Sequence, residues 1–205
     1  MRNKAKKLAG WLLTFGVLVS IGLLSALTIS YVRSEAKEMA DLSVPRILSL
    51  AAANKSLAQA FNDTLQAIIE TNQTEQQRLI SQVNRQSQVT SEHLDRYSQL
   101  VRDEREQRLV DAWKSARLHY LETRDRTMEA LQDSGPAAAT EIYMGDLKTA
   151  FRTYEQAGLD LLKMNADAVT QQSKDIVRRT AISQILAAAI AIVLFAAGFL
   201  IGFYK

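Results

Sequence analysis

Two stretches of the chain carry no charged side chain: Leu8 to Val32, 25 residues, and Ala181 to Tyr204, 24 residues. A helix needs about 20 mostly apolar residues to cross a bilayer, so each stretch predicts one membrane span. Between them, from Arg33 to Thr180, apolar positions recur three and four residues apart on a polar background. Ile47, Ala51, Asn54, Ala58, Phe61, Leu65 and Ile68 make a first stripe. Ile80, Val83, Ser87, Thr90, Leu94, Tyr97 and Val101 make a second. Val110, Trp113, Arg117, Tyr120, Arg124, Thr127 and Leu131 make a third, and Leu147, Phe151, Tyr154, Gly158, Leu161, Asn165 and Ala168 a fourth. A mean spacing of about 3.5 residues is the signature of helices packed side by side in a bundle. Nowhere do β-branched residues alternate with polar ones between turn signals, as a strand requires.

The breaks suit four helices. No glycine occurs between Gly22 and Gly135, and Pro45 is the one proline of that stretch. Thr74-Glu75-Gln76-Gln77 reads as a capping box opening the second helix, and Asp103-Glu104-Arg105-Glu106 as one opening the third. Gly135-Pro136 sets a helix-ending glycine beside a proline at a first helical position, which divides the third helix from the fourth. Pro45 falls where the first bundle helix leaves the membrane. The inner helices are predicted at about 30 residues, roughly 45 Å at 1.5 Å per residue. The expected fold is all-α: an up-down-up-down antiparallel four-helix bundle flanked by two transmembrane helices. Its expected limits are a cytoplasmic N-terminus at 1–7, a first span at 8–32, the bundle at 33–180, a second span at 181–204 and a cytoplasmic end at 205.

Arg2, Lys4, Lys6 and Lys7 precede the first span with no acid among them, which predicts a cytoplasmic N-terminus. The apolar run exceeds the roughly 7–15 residues of a signal-peptide core and lacks a clear cleavage site, so it reads as an uncleaved anchor. Two spans return the C-terminus to the same side. In a bacterial inner membrane the bundle is then periplasmic. It carries 20 Lys and Arg against 22 Asp and Glu, a near-neutral balance that does not suit nucleic acid. The absence of cysteine excludes a disulfide framework, a thiolate nucleophile and a thiolate metal site. His93 and His119, on facing helices, are too few for a multi-histidine cage and read as surface residues. No phosphate loop, dinucleotide fingerprint, nucleophile elbow or zinc-protease motif occurs, so no enzymatic activity, cofactor or metal is expected.

Val44-Pro45-Arg46-Ile47 before the first helix, Asp111-Ala112-Trp113 with Tyr120 in the third, and Met164-Asn165-Ala166-Asp167 before the second span carry a resemblance. With the layout of the whole chain, they resemble the four-helix-bundle sensor domain of bacterial methyl-accepting chemotaxis receptors. In that family a linker domain and a long cytoplasmic signalling hairpin follow the second span. Here the chain stops at Lys205, so the expectation is either a fragment or a stand-alone input module.

The informative residues are polar ones on the core stripes. An unpaired buried guanidinium costs several kcal/mol, so Arg117 and Arg124 need an anion or must reach solvent. Counted from the distal hairpins, Asn54, Thr90, Arg117 and Tyr154 share one layer, one residue per helix. Tyr120 and Ser87 lie within about a turn of it, and Arg124 is level with Arg85 farther out. The bland alternative is that the arginines reach outward to acids such as Glu92 or Glu155. The guanidinium fork matches a carboxylate bidentately, and tyrosine adds a neutral donor. A pocket of Arg117, Tyr120, Arg124, Tyr154, Thr90, Ser87, Asn54 and Arg85 is therefore expected to take a small organic acid, a di- or tricarboxylate first, or an aromatic acid stacked on Tyr120, Tyr154 or Trp113. The charges from Arg102 to Arg108 read as a solvated turn.

The resemblance implies a sensor of amino acids, tricarboxylic-acid-cycle acids or aromatic acids. In the aspartate and serine receptors the binding arginines lie on the first helix and reach across a dimer interface. Asn54 to Asp63 contains no arginine, which favours a pocket inside one subunit. A homodimer is expected along the first and fourth helices and the spans, where Gly22 with Ala26 and Gly198 with Gly202 allow close approach. Three readings remain: a chemoreceptor input passing its signal along the last helix to a cytoplasmic partner, the same input feeding a histidine kinase or cyclic-nucleotide synthase, and a ligand-free membrane-anchored scaffold.

Overall fold

The computed structural model describes the backbone of residues 2–101 and 103–203, and the side chains of 15–101, 103–194 and 196. Arg102 and Lys205 lie outside the described residues, as do the side chains of Arg2, Lys4, Lys6 and Lys7 and the surroundings of Gly198 and Gly202. In chain order the elements are α1 (Arg2–Glu38), a π-helical turn (Met39–Ser43), α2 (Val44–Ile69), α3 (Gln73–Ser98), α4 (Glu104–Asp133), α5 (Pro136–Ile142), a second π-helical turn (Tyr143–Leu147) and α6 (Lys148–Phe203). The described residues contain no strand, and the fold is all-α. The chain divides into two compact units, one of residues 41–168 and one of residues 1–40 with 169–205.

In the second unit, Leu18, Leu23, Leu27, Ile185 and Ile192 are all at least 60 % exposed, the reverse of a soluble core. Two stretches, within Phe15–Ile69 and within Pro136–Leu194, are long and apolar enough to cross a membrane. Polar contacts flank them: Gln172 Nε2 donates to Glu35 Oε2 at 2.7 Å, and the Arg179 guanidinium sits 4.6 Å from the Tyr31 ring centre.

The unit of residues 41–168 is the bundle. Its core takes Leu50, Ala53, Leu57, Ala60 and Ala67 from α2, Leu79, Val83, Leu94 and Tyr97 from α3, and Val110, Trp113, Tyr120 and Leu131 from α4. Leu147, Ala150, Tyr154 and Leu161 complete it from the fourth helical stretch. Three predicted stripes match these faces closely, with Ala168 the exposed exception at the end of the fourth. The α2 stripe is rotated by about one residue: Ala51 is exposed, and Ala53, Leu57, Ala60 and Thr64 point inward. Small residues let α2 approach its neighbours closely, and that displaces the larger Phe61 to the flank. There its ring stacks on Phe151 at 4.1 Å and on Tyr143 at 4.7 Å.

The helix starts also differ in part. Asn72, not Thr74, caps α3, accepting from Thr74 N at 3.0 Å and Glu75 N at 3.3 Å. Glu75 is turned away to Arg78, so it cannot close a capping box. Asp103 caps α4 as predicted, accepting from Glu106 N at 2.7 Å. Gly135 adopts φ 87°, a left-handed backbone that suits glycine alone, directly before Pro136 at the head of α5.

Candidate ligand-binding layer

Near mid-length of the bundle, α2 and α6 come unusually close. A Cβ placed on Gly158 would lie 2.3 Å from Asn54 Oδ1 and 3.0 Å from Trp113 Nε1. Only a glycine leaves room for the Asn54 amide to lie against the α6 backbone beside the indole. Trp113 in turn packs against Tyr154 at 6.0 Å, and Tyr154 against Tyr120 at 5.7 Å. Trp113, Tyr120 and Tyr154 are each at most 1 % exposed.

The polar atoms of this layer find no partner. Asn54 Nδ2 and Oδ1, Trp113 Nε1, Tyr120 OH and Tyr154 OH are all buried and unbonded. Native interiors pair the great majority of such groups, because an unmade buried hydrogen bond forfeits the group's whole hydration. Burial is the main force pushing the Tyr154 and Tyr120 phenols up, so both stay neutral donors. Nearby cations oppose it, Arg117 at Tyr154 and Arg124 at Tyr120. Arg117 approaches the Tyr154 oxygen closely enough to favour its ionised form, although no well-angled hydrogen bond joins them.

Both arginines have hydrogen-bond partners on α3. Arg117 Nη2 donates to Ser91 Oγ at 2.5 Å and to the Ser87 carbonyl at 3.4 Å. Arg124 Nη1 donates to Ser87 Oγ, while its Nε and Nη2 both reach one oxygen of Asp125, at 2.9 and 2.6 Å. The Asp125 side chain is 66 % exposed, so this ion pair is solvent-screened on one side. An open cleft of about 300 Å³ lies over Arg124, lined also by Ile80, Val83, Asn84 and Met128.

The expected site residues therefore divide. Asn54, Tyr154, Tyr120, Arg117, Arg124 and Ser87 come together around the layer. Thr90 is buried, but its hydroxyl is spent on the Gln86 carbonyl at 2.8 Å. Arg85 is exposed and turns away from the core, because its helical position is offset from the Val83–Thr90 face. His119 is exposed and His93 partly buried, and the described residues contain no cluster of three or more metal-ligating side chains.

Sequence reasoning missed a second polar cluster. Glu106, expected in a solvated turn, is only 2 % exposed. It accepts from Tyr97 OH at 2.5 Å and faces Arg46 Nη2 at 3.5 Å. The signal lay in the spacing: Glu106 is four residues before Val110 and so on its stripe, but charge density around it masked the position.

Residues 5–180 match the family described as a four helix bundle sensory module for signal transduction. No curated protein matches the chain.

Proposed function

The chain belongs to the four-helix-bundle sensory modules of signal transduction, and from that premise we propose that it is the input half of a transmembrane chemoreceptor. It takes up a small di- or tricarboxylate in the periplasm, with both termini in the cytoplasm. A shift of α6 carries the signal to a cytoplasmic output, and the receptor works as a homodimer. One observation supports the site above all: the unpartnered Asn54, Trp113, Tyr120 and Tyr154 atoms beside Arg117. A ligand carboxylate accepts from the phenols and the indole, and offers Arg117 and Arg124 a charged acceptor in place of neutral serine hydroxyls. Residue positioning, not chemical transformation, is the task of such a layer, so no reaction is proposed.

The test is thermal stability of the full chain with a panel of organic acids. An acid present at 100 times its dissociation constant adds about 2.7 kcal/mol of stability. Arg117→Ala removes that gain and leaves the helical content intact. A gain that survives the substitution overturns the assignment. Gly-Gly inserted near Ala168 in a receptor with its output uncouples the response while ligand affinity is unchanged.

The scaffold reading keeps one supporting observation, since Ser91, Ser87 and Asp125 already give both arginines partners. It expects no acid in the panel to shift the melting temperature. A histidine kinase or cyclic-nucleotide synthase output would leave the input site unchanged.

A further inference from the structure

Apart from the ligand layer, four side chains join end to end, one from each bundle helix. Arg46 of α2 faces Glu106 of α4 at 3.5 Å. Tyr97 of α3 donates its hydroxyl proton to Glu106 Oε1 at 2.5 Å. The same hydroxyl oxygen accepts from Asn165 Nδ2 of α6 at 2.7 Å. Asn165 Nδ2 also donates to the Leu161 carbonyl of its own helix at 2.9 Å, which fixes the amide's orientation. The direction of each hydrogen bond is determined: the phenol serves the carboxylate and the amide serves the phenol, while Arg46 Nη2 adds an ion pair without a hydrogen bond.

Such a chain is a poor device for stability alone. Well-packed apolar residues replace a buried ion pair at little or no loss, and the best-attested use of buried polar groups is to select one register. This bundle needs that selection. Ala53, Ala60, Ala150 and Gly158 give α2 and α6 small, smooth facing surfaces, and apolar burial is indifferent to direction. Hydrogen bonds are not indifferent: a sideways displacement of roughly 2 Å carries a 2.7 Å contact past the usual 3.2 Å limit. Asn165 and Arg46 are the two ends of the chain, so α6 can leave it through Asn165 without parting the other three.

We infer that Arg46, Glu106, Tyr97 and Asn165 form a register lock, which holds α6 at one axial and rotational setting in the bundle and releases when α6 slides. The lock makes the movement of α6 two-state. In one state Asn165 bonds Tyr97, and in the other the amide is withdrawn and Tyr97 remains on Glu106.

The test uses the full chain in lipid nanodiscs, with spin labels on Lys55→Cys and Lys163→Cys, both exposed positions on a background without native cysteine. Pulsed electron resonance then reads the α2–α6 distance. The parent is expected to give one narrow population. Asn165→Leu is expected to add a second maximum displaced by about 1.5 to 5.4 Å, between one residue and one turn of helix. Tyr97→Phe, which removes a single oxygen, is expected to give the same second maximum, and the double variant no more than either. A distribution identical to the parent's, or one that merely broadens about the same maximum, overturns the lock. Tyr97→Phe alone decides the matter if Asn165→Leu does not fold by its helical circular dichroism. No ligand is needed, so the result is independent of the carboxylate reading.

Discussion

The Trp113 layer and the Glu106 chain stand one ring contact apart, Tyr97 meeting Trp113 edge-on at 6.5 Å and 89°. They treat buried polar atoms in opposite ways. Around Glu106 the Tyr97 hydroxyl and the Asn165 amide are hydrogen-bonded, and Arg46 adds an ion pair at 3.5 Å while its Nε and Nη2 make no hydrogen bond. Around Trp113 five buried polar atoms have none. Burial alone does not separate the regions, since Tyr97, Trp113, Tyr120 and Tyr154 are all at most 1 % exposed. What separates them is the neutral side chains: Tyr97 and Asn165 are hydrogen-bonded, and Asn54, Trp113, Tyr120 and Tyr154 are not. A finished network fixes helices in place, and an unfinished one is a standing demand for a partner.

The largest expected effect is alkaline, and it tests what the two regions share. Burial first, then Glu106, holds the Tyr97 phenol above its ordinary value of 10.0. Burial does the same for Tyr120 and Tyr154, against nearby arginine, and pushes Tyr143 up to about 12. A raised folded value means that the unfolded chain ionises first. The stability is therefore complete below about pH 10 and is lost as pH rises toward the folded values. Each group forfeits about 1.4 kcal/mol per pH unit over that window. Phenolate absorbance from these four tyrosines should rise together with loss of helical signal above pH 10. Phenolate that appears well before unfolding would show that the interior is wetter than described.

Glu106→Ala comes next. It strands Arg46 and Tyr97 in the interior, and breaking a buried pair in this way costs about 3–5 kcal/mol. Asp125→Ala removes the corresponding carboxylate beside the Trp113 layer. With its side chain 66 % exposed, Asp125 is expected to matter by less than about 1 kcal/mol. Chemical denaturation of both variants checks the contrast, and equal losses would abolish it.

A smaller effect probes the layer itself. Gly158→Ala adds a methyl 2.3 Å from Asn54 Oδ1, and overpacking of this kind costs about 1–3 kcal/mol. In an Asn54→Ala background the obstructing amide is gone. There only Trp113 Nε1, at 3.0 Å, still crowds the methyl, and the cost should fall by about 1 kcal/mol or more, helped by the helix preference of alanine over glycine. A double-mutant cycle with no coupling would show that Asn54 does not occupy the space over Gly158.

How much of this was legible depended on whether a residue's role is local or shared. The bundle was readable because 3.5-residue spacing and the Gly135-Pro136 break are local facts, and three of four faces fell where spacing put them. The α2 face was misjudged because alternating alanines and serines carry little hydrophobic contrast, and the choice between Ala51 and Ala53 was made by neighbouring helices. In the site, counting from the hairpins brought Asn54 and Tyr154 to one level. It did not reveal that Gly158 makes room for Asn54, since close approach is a property of two helices. Arg85 was placed by level alone, and a helix that turns 100° per residue needs a direction as well. Glu106 was hidden by Arg105 and Arg108, which do face solvent.

A contrast of single oxygens is the most discriminating. Tyr97→Phe removes one oxygen from the finished network and leaves Asn165 Nδ2 and Glu106 Oε1 short of a partner. Losing one side of a buried hydrogen bond in this way costs about 1–3 kcal/mol. Tyr154→Phe removes one oxygen from the unfinished layer, where nothing is hydrogen-bonded to it. Its hydroxyl has only the nearby Arg117 charge to offset the loss of water, so its removal should change stability by less than about 1 kcal/mol. Tyr120→Phe should behave likewise, because Tyr120 OH is unbonded as well. The rings stay in place in all three variants, so packing cancels and only the oxygen differs. In a saturating ligand the order reverses for the layer: Tyr154→Phe then forfeits a donor to the bound carboxylate and loses part of the thermal gain. Denaturant midpoints of the three variants, each with and without the acid that stabilises the parent, read both halves of this comparison. If Tyr154→Phe costs as much as Tyr97→Phe without ligand, then the Tyr154 hydroxyl is already satisfied, and the layer is as finished as its neighbour.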